Sequence, residues 1–322
     1  MSLNQMKQTV FSQVAAGSTV EDTIAVFGAP HSGTTWLAEI LRSLPRYKFL
    51  NEPIWHSNHH SLKRWPYLEP EERDTDRAKR VESYLKGILR GKVGISPMWR
   101  FAAKSQLGKL IEHATHDRLI VKFTRLNRSI SWFTRRFDVR QVFLIVRHPC
   151  AVVASAMRKG NWHEKPLAAA LDSVGLANLP VPLREKFIPL LESAESPEEA
   201  RAVQWCVDHY VPLLLHEERE YPWVTLSYER LLLQGGQEID RIGELLNENK
   251  ATKYMKERLG IPSGSVVDSP EEKETRQQLS KWRKRLSSGH IQRIMEIVEA
   301  CGLDQFYTSD MEPKHESLNP SL

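Results

Sequence analysis

Thr23-Ile24-Ala25-Val26-Phe27-Gly28-Ala29-Pro30-His31-Ser32-Gly33-Thr34-Thr35-Trp36-Leu37 is the most informative stretch of the chain. A short β-branched and aromatic run, Thr23–Phe27, enters a loop bounded by Gly28 and Gly33. Trp36, Leu37, Ile40, Leu41 and Leu44 then recur at helical spacing. A buried strand that passes through a glycine-bounded turn into a helix is the opening unit of an α/β protein. Backbone N–H groups in such a loop converge on an anion, and the helix N-terminus adds partial positive charge.

Four further runs of the same kind follow: Tyr47–Leu50, Arg118–Phe123, Gln141–Val146 and Trp223–Tyr228. Most are continuous rather than alternating, as in strands covered on both faces of a parallel sheet. Helical stretches separate them. They predict a three-layer α/β fold, with a central, mainly parallel sheet of about five strands and helices on both faces. Ser196-Pro197-Glu198-Glu199 and Ser269-Pro270-Glu271-Glu272 each place a capping serine before proline at the first helical position, with acids in the first turn. Residues 160–205 are expected to form a helical insertion between the fourth and fifth strands. It lies within a domain spanning 21–305, between an N-terminal segment (1–20) and a C-terminal tail (306–322). Gly260–Val267 reads as a loop.

The chain has 322 residues, 41% hydrophobic and 26% charged, which excludes wholesale disorder and allows a full core without disulfide or metal staples. Lys and Arg number 45 against 40 Asp and Glu, a net charge of +5. That mild excess favours an anionic ligand but lacks the basic stripe of a nucleic-acid binder. Cys150, Cys206 and Cys301 are far apart and read as reduced thiols. No apolar run approaches the roughly 20 residues of a membrane span. Met1 to Gly17 has no uninterrupted hydrophobic stretch of signal-peptide type. The expectation is a cytoplasmic protein without a nucleic-acid partner.

Gly28 and Gly33 have the spacing of the phosphate loop G-x-x-x-x-G-K-[ST], but Thr34 occupies the lysine position. No apolar strand ending in Asp offers itself to hold Mg²⁺. A nucleoside triphosphate ordinarily requires both lysine and metal, so this loop suits a less charged anion. His31-Ser32-Gly33-Thr34-Thr35-Trp36-Leu37 resembles the 5′-phosphosulfate loop of sulfotransferases, (Arg/Lys)-Ser-Gly-(Thr/Ser)-(Thr/Ser)-(Trp/Phe)-Leu. The resemblance implies a P-loop-like fold, 3′-phosphoadenosine 5′-phosphosulfate (PAPS) as donor, and no metal. It assigns His31, Ser32, Gly33, Thr34, Thr35 and Trp36 to the donor's 5′ end.

Downstream, Gln141–Val146 delivers Arg147 at a strand end, with Ser155 two helical turns further on. An arginine fork and a serine hydroxyl suit a phosphate. Arg147-His148-Pro149-Cys150-Ala151-Val152-Val153-Ala154-Ser155 resembles the family's 3′-phosphate motif, Arg-(Asp/Asn/His)-Pro-x-x-x-x-x-Ser. Leu226-Ser227-Tyr228-Glu229-Arg230-Leu231 is similar to the family strand ending in Tyr-Glu-(Asp/Asn)-Leu, which implies that Tyr228 lies by the adenosine. Leu279-Ser280-Lys281-Trp282-Arg283 resembles the family's C-terminal Trp-(Lys/Arg) segment near the nucleotide, with Arg276 upstream as a further 3′-phosphate contact.

Phenol- and steroid-type members use a histidine after the third strand, but Val121-Lys122-Phe123-Thr124-Arg125-Leu126-Asn127 contains none. Phe49-Leu50-Asn51-Glu52-Pro53-Ile54-Trp55-His56 resembles the Leu-x-Glu-Pro-x-(Trp/Leu)-His segment of carbohydrate sulfotransferases and implies Glu52 as general base. A carboxylate is a weak base in water and a stronger one when buried. The competing role for Glu52 is an ion pair with Arg125 or Lys122. His31 stands where many members carry Arg or Lys. A histidine titrates near pH ~6.5 and is not reliably cationic, so Lys122 or Arg125 is expected to supply charge at the sulfonate. His56, His59 and His60 lack a carboxylate or cysteine partner for a metal site.

The prediction is a sulfotransferase acting on a hydroxyl of a sugar, glycolipid or small metabolite. Trp55, Trp65, Trp99 and Trp162 are candidates to stack on that acceptor. A P-loop small-molecule kinase and a non-catalytic adenine-nucleotide or nucleic-acid binding protein are the alternatives.

Overall fold

A computed structural model describes residues 17–54, 75–92, 106–159, 167–214, 223–263, 275–314 and 318. The histidines and tryptophans singled out at 55, 56, 59, 60, 65, 99 and 162 lie outside these residues, as does the Ser269 capping sequence. Five strands form one sheet: β1 (Thr23–Phe27), β2 (Tyr47–Asn51), β3 (Arg118–Phe123), β4 (Gln141–Val146) and β5 (Val224–Ser227). The order is β2-β3-β1-β4-β5, and every pairing is parallel. The expected sheet of about five mainly parallel strands stands.

Although the strands read as unbroken apolar runs, their side chains alternate between two cores, as the two-residue period requires. Ala25, Phe27, Leu119, Val121, Phe123, Val142, Leu144 and Val146 point into one core. Ile24, Val26, Tyr47, Phe49, Ile120, Phe143, Ile145 and Leu226 point into the other. Helix α1 (Thr34–Arg42) covers the second face. On the first face lie α2 (Thr75–Leu89), α4 (Ile130–Arg136) and α5 (Pro149–Lys159), with α3 (Gln106–Thr115) preceding β3 in the chain.

After α5 come α6 (Leu167–Val174), α7 (Val181–Glu192) and α8 (Pro197–Leu214). At the start of α8, Ser196 Oγ accepts the Glu199 N–H at 3.3 Å and the Glu199 side chain reaches back to the Glu195 N–H, a variant of the capping box shifted one residue before the cap. The expected insertion boundary at residue 205 falls inside α8. That helix is core: Trp205, Cys206 and Val207 are buried, and Asp208 pairs with buried Arg128 at 2.9 Å. Helices α9 (Tyr228–Leu233), α10 (Gly235–Leu245) and α11 (Thr252–Leu259) follow β5, and α12 (Thr275–Ser280) and α13 (Ser288–Ala300) end the described helical order.

Two boundaries differ from expectation. The fifth strand stops at Ser227 because its hydroxyl caps α9, accepting the Arg230 N–H at 2.9 Å, so Tyr228 opens a helix. The expected tail from 306 begins inside packed structure. Phe306 and Tyr307 are buried, and the Lys314 N–H donates to the Phe306 carbonyl at 2.9 Å. Two aromatic anchors outweigh the polar composition around them.

Candidate active site

In this strand order, β1 lies between β3 and β4. The helix leaving β1 packs on one face and the helix leaving β4 on the other. The carboxyl ends of β1 and β4 therefore flank a topological switch point, where open α/β sheets bind ligands. The glycine loop and Arg147 stand on its two sides.

Two glycines let the loop close there. A Cβ on Gly28 would sit 2.7 Å from the Ile145 carbonyl oxygen of β4, a backbone atom that cannot yield. Gly33 has φ +95°, and its Cβ would lie 2.5 Å from the Tyr228 ring. It hands over directly to α1 with no side chain capping the helix. The first-turn N–H groups are thus left for an anion. Asn127, which no sequence pattern marked, accepts the Gly28 N–H through Oδ1 at 3.0 Å and ties the loop's start to the turn after β3.

Ser32 is fully buried, with Oγ lacking a hydrogen-bond partner. Thr34 is buried with its methyl towards Gly28, and Trp36 packs 5.4 Å from the Tyr228 ring. His31 takes φ 72°, an uncommon conformation for a side-chain-bearing residue and one that clusters at functional sites.

Arg147 Nη1 donates to the His31 carbonyl at 3.1 Å, and its guanidinium lies 4.1 Å above the Tyr228 ring, a cation–π stack. Its buried Nε has no partner, so the fork retains a donor. Ser155 Oγ stands 3.4 Å from His31 Nδ1. The structure thus brings His31, Arg147, Ser155 and Tyr228 together.

The second cluster lies at the β2 and β3 ends. Glu52 has φ 49° and extends the ladder, its N–H donating to the Lys122 carbonyl at 3.1 Å. Glu52 Oε2 accepts the Thr124 N–H at 3.2 Å. Lys122 Nζ is 3.3 Å from Glu52 Oε1 and donates to Thr35 Oγ1 at 3.0 Å. Strand parity explains the reach: Lys122 follows Ile120 on the face that α1 covers. The ion pair to Glu52 comes from Lys122, and Oε1 accepts no aligned hydrogen bond. Arg125 is exposed on the bend beyond β3.

Trp282 packs behind the β4 end, against the residue that follows Arg147. It is 2% exposed and stacks on His148 at 4.6 Å. The backbone of Arg276 belongs to α12; its side chain lies outside the described set. Burial pulls the His148 imidazole down to about 4. Its Nδ1 accepts the Cys150 N–H at 3.2 Å, which leaves the proton on Nε2 to donate to the Thr308 carbonyl at 2.9 Å. Behind it, the Glu229 carboxyl is raised by burial.

No protein-family model matches the sequence, and no curated protein matches it well enough to be a relative. Among solved structures the chain is similar to the sulfotransferase domain of the Synechococcus PCC 7002 olefin synthase, at 17% identity over 88% of this chain and 96% of that one, TM-score 0.45. It is also similar to the sulfotransferase domain from the curacin biosynthetic pathway, at 17% identity, 88% and 99% coverage and TM-score 0.45. Mouse sulfotransferase SULT7A1 complexed with PAP is similar at 12% identity, 92% and 91% coverage and TM-score 0.42. All three are similarities at low identity. Among the described residues no helix is long and apolar enough to cross a membrane.

Proposed function

We propose that this chain is a PAPS-dependent sulfotransferase acting on an acceptor hydroxyl. The observation that carries this is the placement of two separate sets of groups suited to anions around one switch point. The glycine loop with His31 stands on one side and Arg147 with Ser155 on the other, bridged by the Arg147 bond to the His31 carbonyl. A donor with phosphate on both the 5′ and 3′ sides of its ribose matches two such sets.

The loop N–H groups of Gly33, Thr34 and Thr35 hold the 5′-phosphate, and Lys122, bonded to Thr35, faces the sulfonate with its ammonium. Arg147 and Ser155 hold the 3′-phosphate, and Tyr228 flanks the adenosine. Glu52 takes the acceptor's proton as the acceptor oxygen attacks sulfur in line. The S–O bond to the 5′-phosphate breaks, and adenosine 3′,5′-bisphosphate leaves with that bridging oxygen. His31, with its ring beside Ser155, lies between the two phosphates. A sugar, glycolipid or small-metabolite hydroxyl is the acceptor class, and the protein acts in the cytoplasm.

Calorimetric titration with adenosine 3′,5′-bisphosphate and with ATP–Mg²⁺, on the wild type and Arg147→Ala, tests this. Metal-free binding of the bisphosphate, weakened in the variant, is the expected result. A preference for ATP–Mg²⁺ overturns it in favour of a kinase.

A further inference from the structure

The chain beyond α13 returns beneath the strand end that carries Arg147. Tyr307 is fully buried, and its hydroxyl donates to Glu229 Oε2 at 3.0 Å. Glu229, 1% exposed, also accepts the His148 N–H through Oε1 at 2.9 Å and the Ser227 hydroxyl through Oε2 at 3.3 Å. One buried carboxylate thus joins three segments distant in sequence: the β4 end beside Arg147, the β5–α9 junction that presents Tyr228, and the C-terminal stretch.

Other contacts brace the same point. His148 bonds the Thr308 carbonyl, stacks on Trp282 and meets the Tyr307 ring edge-on at 5.5 Å. The Trp205 indole N–H donates to the Arg147 carbonyl at 3.0 Å. A guanidinium fork recognises phosphate by orientation as well as charge, so its backbone must be held still. Arg147 and Tyr228, stacked on each other at 4.1 Å, each adjoin a residue bonded to Glu229 or Glu229 itself.

We propose that Glu229 and Tyr307 are positioning residues for 3′-phosphate recognition, locking the Arg147 and Tyr228 backbones into one unit without touching the nucleotide. This rests on the donor reading above. It makes the C-terminal stretch part of the nucleotide site rather than an appendage.

Titrate wild type, Tyr307→Phe and Glu229→Gln with adenosine 3′,5′-bisphosphate and with adenosine 5′-phosphate, which lacks the 3′-phosphate. Tyr307→Phe keeps the ring and removes one hydrogen bond to a buried carboxyl. Its expected effect is about tenfold weaker bisphosphate binding, with adenosine 5′-phosphate, which keeps the Tyr228 contact but lacks the 3′-phosphate, weakened less. Glu229→Gln is expected to shift the same ratio in the same direction; if it does not fold, Tyr307→Phe decides. Equal weakening for both nucleotides, or for neither, overturns the positioning role and leaves Tyr307 a packing residue. Wild-type protein that binds neither nucleotide overturns the donor reading and this proposal with it. Wild type that binds the bisphosphate no more tightly than Tyr307→Phe does overturns the positioning role alone.

Discussion

Lys122 Nζ donates to Thr35 Oγ1 at 3.0 Å, so a neighbouring strand delivers to the first turn of α1 the ammonium that the loop itself lacks. A P-loop lysine rises from the helix start; here Thr34 occupies that position and the cation enters from β3. The same ammonium lies 3.3 Å from the Glu52 carboxylate, which places positive charge and a candidate base side by side.

Glu52→Gln is expected to lower turnover by roughly 10²–10⁴-fold, the range for loss of a general base. Bisphosphate affinity should change little, because the proposed role of Glu52 is at the acceptor. Lys122→Met should lower both. Steady-state rates with a permissive acceptor, paired with calorimetry, separate the two; unchanged turnover in Glu52→Gln removes it as base.

Arg147→Ala removes the charged fork proposed to hold the 3′-phosphate. Bisphosphate affinity should fall by about 10- to 100-fold, the scale of hydrogen bonds to a charged group. Adenosine 5′-phosphate should bind the variant and the wild type almost equally. Parallel losses for both ligands would place Arg147 elsewhere in the site.

Gly28→Ala and Gly33→Ala should both destabilise the fold and abolish nucleotide binding. At Gly28 the obstacle is the Ile145 carbonyl, and at Gly33 it is the left-handed backbone together with the Tyr228 ring. Each should cost about 1–3 kcal/mol, the range for overpacking or an L-residue held in that conformation. Urea unfolding measures it; a wild-type midpoint in Gly28→Ala would contradict the tight approach of β1 to β4.

His148 links stability to pH. Its folded value of about 4 lies below the ordinary ~6.5 of an unfolded histidine, because burial disfavours the imidazolium. The unfolded chain therefore binds more protons between these limits, and stability falls as pH drops from about 6.5 towards 4. At pH 5 the contribution is about 2 kcal/mol of destabilisation relative to neutral pH. Urea denaturation at the two pH values should show the difference, and His148→Gln should reduce it.

The thiols should be inert in the native state. Cys150, pushed up to about 12 by burial, and Cys206, also raised by burial, sit with Cys301 inside the core. A thiolate-specific reagent should label none of the three until the protein is unfolded. Rapid native labelling would mean that the α8–α13 packing opens readily.

The strand positions, the parallel class of the sheet and the glycine loop were legible in the chain because each is written in contiguous residues. Apolar runs of five or six residues announce a strand covered on both faces, and the Gly28–Gly33 spacing announces a turn into a helix. Glu52, Arg147 and Ser155 were legible as candidates because strand ends and helical turns are local. Other features depend on strand order and on which face each residue presents. Lys122 reaches Thr35 across 87 residues, Asn127 reaches Gly28 across 99, and Tyr307 reaches Glu229 across 78. Local pattern specified the elements and the glycine loop. The choice of cation, the brace on the loop and the buried carboxylate behind Arg147 came from folding, because side chains this far apart in sequence meet only once the strands are ordered and the two cores are filled.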